Sequence, residues 1–419
     1  MTTRLMVVLC ALGMMVTSCA DDIILDVPQF PGGGILSQTY PISDAAKEKL
    51  NGIYTVVQGA DEFGGTMVVK WSRNGLSMFA GKNVGHFVLQ AGEIDSVFVF
   101  EGYWRFATSN ETGLARLGVK REEGGRFLMG DTTGGRTIRI AGNIGDGQES
   151  PSRLLVLDYA RPIRPDLLTG NFQVLAHRGG GRTSDRIPAS ENTVEMVRLA
   201  ESFGATGIEI DVRLTKDGVP ILYHDGSINP RLTRKTALVG GVEDYTFAQV
   251  RSAIRLVING ERIPTLREVL TTVVDETTLE FVWLDTKTEG RNIVEVMVPI
   301  QQEYLARAQA AGRKLDIMIG IPTDDVLDEV KRYPNYQQLQ TLCELSTDDV
   351  RAVDAEVWGP RWTQGTLDAE VAAMKAEGRR AFVWTLDVPN YINQFIATGT
   401  FDGILTNYPT AVAYAYYVQ

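Results

Sequence analysis

Gly207-Ile208-Glu209-Ile210-Asp211-Val212 decides how the second half of this chain folds. Alternate residues of a strand point to opposite faces, so Glu209 and Asp211 share one face while Ile208, Ile210 and Val212 take the other. Two carboxylates on an apolar strand are costly to bury without a charged partner. Other short apolar runs also end in polar residues. The run from Val174 leads to His177-Arg178-Gly179, that from Val219 to His224-Asp225, and that from Leu279 to Asp285-Thr286-Lys287.

Outward from these runs, strands and helices alternate. Further strands are expected at 316–319, 339–342, 355–358, 381–386 and 403–406. Helices are expected at 191–202, 266–274, 293–311, 325–332, 367–377 and 391–398. Leu367, Val371 and Met374 fall on one helix face. Alternation of this kind predicts parallel strands joined by helical crossovers. The span 170–419 has the length of a (β/α)8 barrel, about 250 residues, a fold whose active sites gather at the C-terminal strand ends. One connection departs from the pattern. Only the turn Lys216-Asp217-Gly218 separates Asp211 from His224, and a parallel crossover needs about a dozen residues or more, so this segment reads as a hairpin.

Residues 46–168 have another texture. Short runs rich in Val, Ile, Phe and Tyr, such as 53–57, 67–71, 86–89, 96–100 and 154–157, are punctuated by glycine pairs. They predict an all-β sandwich or barrel domain, preceded by a short helix from Ser43 to Leu50. The fold class is therefore α/β, a TIM (β/α)8-type barrel behind an all-β domain. His86 has no carboxylate or cysteine at ligand spacing and reads as structural. Pro162, Pro165 and Gly170 mark the boundary. Residues 20–45, with Pro28, Pro31 and Gly32-Gly33-Gly34, read as a linker.

The first nineteen residues read as a signal peptide. Arg4 precedes an apolar run from Leu5 to Val16 that is shorter than the roughly 20 residues of a membrane span. Val16-Thr17-Ser18-Cys19 resembles a bacterial lipobox, with Cys19 as the lipid acceptor. Such a protein would be exported and anchored to a membrane of the cell envelope, at the periplasm or the cell surface. Of the three cysteines, processing would leave Cys343 alone, a buried strand residue without a disulfide partner. The formal net charge of -11 argues against broad nucleic-acid binding, which needs a basic face.

The polar strand ends carry the chemistry. Glu209, Asp211 and Asp285 offer oxygen ligands suited to a hard divalent cation, Ca²⁺ or Mg²⁺. The alternative is a salt-bridged interior using Arg213 or Lys287. His177 and His224 can move protons, and Arg178 and Lys287 can grip a phosphate. Together they suit phosphodiester cleavage.

At these residues the chain resembles the glycerophosphodiester phosphodiesterases. Leu175-Ala176-His177-Arg178-Gly179 with Glu191-Asn192-Thr193 is similar to the family's opening signature. Glu209-Ile210-Asp211 through Tyr223-His224-Asp225 is similar to its second. Ile263-Pro264-Thr265-Leu266, Val383-Trp384-Thr385, and Asp402-Gly403-Ile404 with Tyr408-Pro409 resemble later stretches, so the resemblance covers 172–412. It implies a TIM barrel that hydrolyses glycerophosphodiesters with a divalent cation, giving glycerol 3-phosphate or another phosphomonoester and an alcohol. His177 and His224 would be the acid/base pair, and Glu209 and Asp211 metal ligands. Asp285 would be the third ligand, in a position where the family has glutamate. Arg178 and Lys287 would hold the phosphate, and Trp384 would either wall the substrate or fill the rim. Asn407 stands where the family often has aspartate. Two rivals remain at this stage: phospholipase-like cleavage of lipid head groups, and a non-catalytic binder whose cation site Asp285 has spoiled. The all-β domain could bind glycan, lipid or a partner, or act as a spacer.

Overall fold

A computed structural model describes residues 27–419 apart from 74, 110, 134–135 and 186. The signal segment and Cys19 lie outside the described residues.

The strands β1 (Gly52–Gln58), β2 (Thr66–Ser72), β3 (Gly75–Ala80), β4 (Gly85–Ile94), β5 (Val97–Phe106), β6 (Thr112–Val119), β7 (Arg139–Ile144) and β8 (Arg153–Arg161) form a closed antiparallel barrel. β8 returns to pair with β1, so the sheet closes on itself and leaves no edge. Its lumen is a packed core that includes Tyr54, Phe63, Met67, Phe87, Phe98, Phe100 and Trp104. A helix, Asp44–Leu50, leads in; the Ser43 hydroxyl caps it by accepting from the Ala46 N–H. The linker expected over 20–45 is not a free tether along its described part. Ile35 N–H donates to Glu101, the Arg116 guanidinium lies 4.5 Å from the Phe30 ring centroid, and Tyr40 pairs with Glu93.

Nine strands follow: β9 (Gln173–Ala176), β10 (Gly207–Leu214), β11 (Pro220–Leu222), β12 (Phe281–Thr286), β13 (Asp316–Ile321), β14 (Thr341–Cys343), β15 (Val357–Trp358), β16 (Arg380–Val383) and β17 (Gly403–Thr406). β9, β10 and β12 to β17 run parallel and close through the β9–β10 pairing, giving eight strands round a TIM-like barrel. β11 hangs antiparallel on β10, as the short turn at Lys216-Asp217-Gly218 dictates. The longer stretch from Tyr223 to Glu280 then carries the crossover to β12. In this register Asp211 lies directly opposite Asp285.

Outward-facing residues of the first barrel join an apolar core of the second. Every residue of β3 is buried. Leu76, Met78 and Ala80 face the first lumen, while Phe79 joins Ile53, Val68 and Val84 in the core of the second barrel. Gly204, at φ +90, meets this seam with no side chain of its own. A Cβ there would stand 2.5 Å from Ala413 Cβ and 2.9 Å from Phe79 Cζ. His86 is buried at the same junction, edge-on to Phe203 at 5.4 Å, and burial pushes its pKa down to about 3. Cys343 is buried in β14 as expected, and burial pushes its thiol up to about 12.

Candidate active site

The C-terminal ends of β9, β10 and β12 bring the expected acidic residues together. Glu209, Asp211 and Asp285 each offer an oxygen, and these oxygens all lie within 4.8 Å of one another. All three side chains are buried, because β10 and β12 are central strands covered on both faces. Glu209 Oε1, Asp211 Oδ1 and Asp285 Oδ1 are sealed from solvent and accept no hydrogen bond. Three adjacent carboxylates, each with one buried oxygen that accepts no hydrogen bond, could together hold a cation. The shorter Asp285 still reaches the cluster.

Lys287 neutralises part of this charge, standing 2.5 Å from Asp285 Oδ2 and 3.3 Å from Asp211 Oδ1. Arg213 does not, since it pairs with Glu243 at 2.6 Å and donates to the His224 carbonyl. The pKa values follow from these contacts. Burial, then the charges of Asp211 and Asp285, hold Glu209 well above the usual carboxylate range. Burial also raises Asp285. For Asp211 burial acts in the same direction, but Lys287, His224, Arg178 and His177 outweigh it and hold it low. Both histidines therefore act on the carboxylate at the centre of the cluster.

His177 follows β9 directly. Its Nδ1 lies 2.7 Å from Asn407 Oδ1, and the Asn407 amide donates to Asp387 Oδ2 at 2.6 Å. A carboxylate only accepts, so Asp387 fixes which end of the amide faces His177 and makes Nδ1 the protonated nitrogen. The Nε2 lone pair is left facing the cluster, 3.6 Å from Glu209 Oε2. Burial, aided by the Arg178 charge, lowers the His177 pKa to about 4. His224 is held differently. Its Nδ1 lies 2.7 Å from Asp225 Oδ1, which fixes the ring's orientation.

Arg178 takes a left-handed backbone, φ 55, and its N–H donates to Glu209 Oε2 at 2.8 Å. A non-glycine residue in this region costs about 1–3 kcal/mol and persists where the surroundings demand it. The guanidinium pairs with Glu191 at 2.7 Å, while its Nε–H is buried and donates to nothing. Glu191 in turn pairs with Arg231, and Arg231 with Asp225, so a chain of alternating charges links the two catalytic candidates' supports. Asn192 accepts from the Asp211 N–H and donates to Asp211 Oδ2 at 2.6 Å, fixing that carboxylate. Trp384 is half-buried, packs edge-on to Trp283 at 6.4 Å, and donates its Nε1–H to the Gly359 carbonyl. The supporting roles of Arg231, Asp387 and Asn192 were not anticipated from sequence. For Asn192 a signal existed, its place beside Glu191 in the opening motif.

A model of the glycerophosphoryl diester phosphodiesterase family matches residues 177–411. Glycerophosphodiester phosphodiesterase 1 of Rattus norvegicus is 42% identical over 104 residues, 23% of this chain and 29% of that protein. The human counterpart is 32% identical over 140 residues, so the chain spans 39% of its length. A glycerophosphodiester phosphodiesterase of Caldanaerobacter subterraneus subsp. tengcongensis is 28% identical over 244 residues, covering 56% of this chain and 94% of that one. Among solved structures, a glycerophosphodiester phosphodiesterase from Parabacteroides distasonis aligns with a TM-score of 0.48 at 23% identity, over 59% of this chain and 98% of that one. A phosphodiesterase from Oleispira antarctica, in complex with the product sn-glycerol-3-phosphate, aligns with a TM-score of 0.46 at 22% identity, over 58% and 96%.

Proposed function

Because the chain belongs to the glycerophosphoryl diester phosphodiesterase family, we propose that its second barrel hydrolyses glycerophosphodiesters, in a divalent-cation-dependent reaction, to glycerol 3-phosphate or another phosphomonoester and an alcohol. The observation that carries this reading is the trio of orphaned oxygens on Glu209, Asp211 and Asp285 beneath two histidines. Those three carboxylates would hold Ca²⁺ or Mg²⁺. When bound, the cation supplies positive charge for the phosphoryl oxygens. The chain's own groups do the rest. The unused Nε–H of Arg178 and the Lys287 ammonium hold the phosphate. His177, with its proton fixed on Nδ1, presents Nε2 as the base for the attacking water, whose oxygen bonds to phosphorus as the bond to the alcohol oxygen breaks. His224, held by Asp225 through Nδ1, gives a proton to the departing alcohol oxygen.

Treatment with a chelator is expected to abolish hydrolysis of glycerophosphodiesters, and added Mg²⁺ or Ca²⁺ to restore it. Equal turnover with and without chelator would overturn the proposal. Asp285 joins the cluster despite its shorter side chain, which supports the catalytic reading over the non-catalytic one.

The lipoprotein reading rests on Val16-Thr17-Ser18-Cys19. A protein anchored through Cys19 would take up radiolabelled fatty acid in cells, and Cys19→Ala would not. Label persisting in that variant would exclude Cys19 as the acceptor. Anchoring would set the catalytic barrel beside a membrane, a source of diester substrates.

A further inference from the structure

Glu344 follows β14 at the mouth of the second barrel, and none of the roles above uses it. Its backbone N–H donates to the Ile321 carbonyl at 3.1 Å, which fixes the residue at the strand end. Oε1 is sealed from solvent and accepts no hydrogen bond. Burial, and then the charge of Asp285, hold this carboxyl well above the usual carboxylate range, with Lys287 and Arg361 acting the other way. Yet it is not one of the three residues whose oxygens lie within 4.8 Å of one another.

The neighbours of Glu344 form a wall. Gly359, just beyond β15, packs closely beside it and against Leu342, whose Cδ2 would stand 2.9 Å from a Cβ there. A Cβ there would stand 3.6 Å from Glu344 Cγ and 3.3 Å from Trp283 Cη2. The Gly359 carbonyl accepts from Trp384 Nε1 at 2.6 Å, which turns the indole toward the same opening. Arg361 pairs with Trp384 and sets its guanidinium 4.5 Å from the ring centroid. A carboxyl and an indole with the Arg361 guanidinium over one of its faces thus stand together. By the strand order, β14 and β15 face β9 and β10 across the barrel. The wall therefore lies across the barrel from Arg178, which follows β9.

An acceptor and a donor flanking an aromatic face suit a hydroxylated carbon chain, whose C–H groups lie on the ring while its hydroxyls bond on either side. A buried carboxylate oxygen with no partner stays costly until a donor arrives. We propose that Glu344 is a specificity-determining residue, whose carboxyl hydrogen-bonds a hydroxyl of the glycerol group and so selects glycerol-bearing phosphates over unhydroxylated ones. This rests on the proposed phosphodiesterase reading.

The test is calorimetric binding to the full chain in the presence of Mg²⁺ or Ca²⁺. The probes are glycerol 3-phosphate and n-propyl phosphate, which differ only in the hydroxyls. The wild-type protein should prefer glycerol 3-phosphate by about 10- to 100-fold, the range for leaving one buried polar group without its hydrogen bond. Glu344→Leu should bring the two ligands within about 2-fold of each other, while Glu344→Gln, which keeps an acceptor, retains part of the gap. Cation affinity and melting temperature should not change. The inference is overturned if the wild type does not discriminate, if Glu344→Leu keeps the full gap, or if either variant loses cation affinity, which would make Glu344 part of the metal centre. The readout needs no turnover. Failure of the hydrolysis reading would appear separately, as absence of cation-dependent cleavage.

Discussion

Replacing His177 with alanine should lower kcat/KM for a glycerophosphodiester by about 10² to 10⁴-fold, the contribution of a positioned acid or base. The expectation follows from how tightly this imidazole is prepared. Asp387 orients Asn407, Asn407 holds the Nδ1 proton, and the free Nε2 points at the carboxylate cluster. Removing the ring takes away the base and leaves the cation ligands in place. Binding of Mg²⁺ or Ca²⁺ should therefore survive while turnover does not. The measurement is steady-state kinetics beside calorimetric cation binding. A variant that keeps wild-type kcat/KM would refute the role, and one that loses the cation as well would recast His177 as part of the metal site.

Replacing Phe79 with alanine should cost about 3–5 kcal/mol of stability, the usual range for removing a large buried aromatic ring. The unusual part is where that cost should appear. Phe79 lies on β3 of the first barrel but packs in the core of the second, against Gly204 and the helix Pro409–Tyr417. Unfolding followed by circular dichroism and by residual hydrolysis should thus give one transition, shifted together to lower temperature. If the hydrolytic signal keeps its wild-type midpoint while part of the circular dichroism signal moves, the two barrels unfold independently and the shared core has been overestimated.

Much of the second barrel was legible because β10 and β12 carry their chemistry and their burial in the same few residues. Period-two alternation placed Glu209 and Asp211 on one face, and Asp285 opposite Asp211 in the register agrees with that placement. The hairpin at β11 was legible because a three-residue turn cannot carry a parallel crossover. β3, β6 and β7 were not picked out. Gly75-Leu76-Ser77-Met78-Phe79-Ala80 has no β-branched residue, and β6 and β7 are interrupted by glycine and arginine. The glycines have a reason visible only in three dimensions. A Cβ at Gly142 would stand 2.2 Å from the Arg116 carbonyl oxygen across the ladder. The supports of the site were hidden for a different reason. Asp387 reaches His177 only through Asn407, and Arg231 reaches Arg178 only through Glu191. Such contacts join loops far apart along the chain, and no local pattern announces them.

The seam at Gly204 also settles how the molecule can be handled as a tool. With Lys70 of β2 lying over Tyr417 and Phe79 seated beneath Ala413, the last helix of the chain doubles as the floor on which the eight-stranded can stands. Any graft that borrows the can as a display scaffold must bring that helix along. Any label or surface that grips the can from outside will hold the catalytic opening at one set bearing, with no hinge to swing it round.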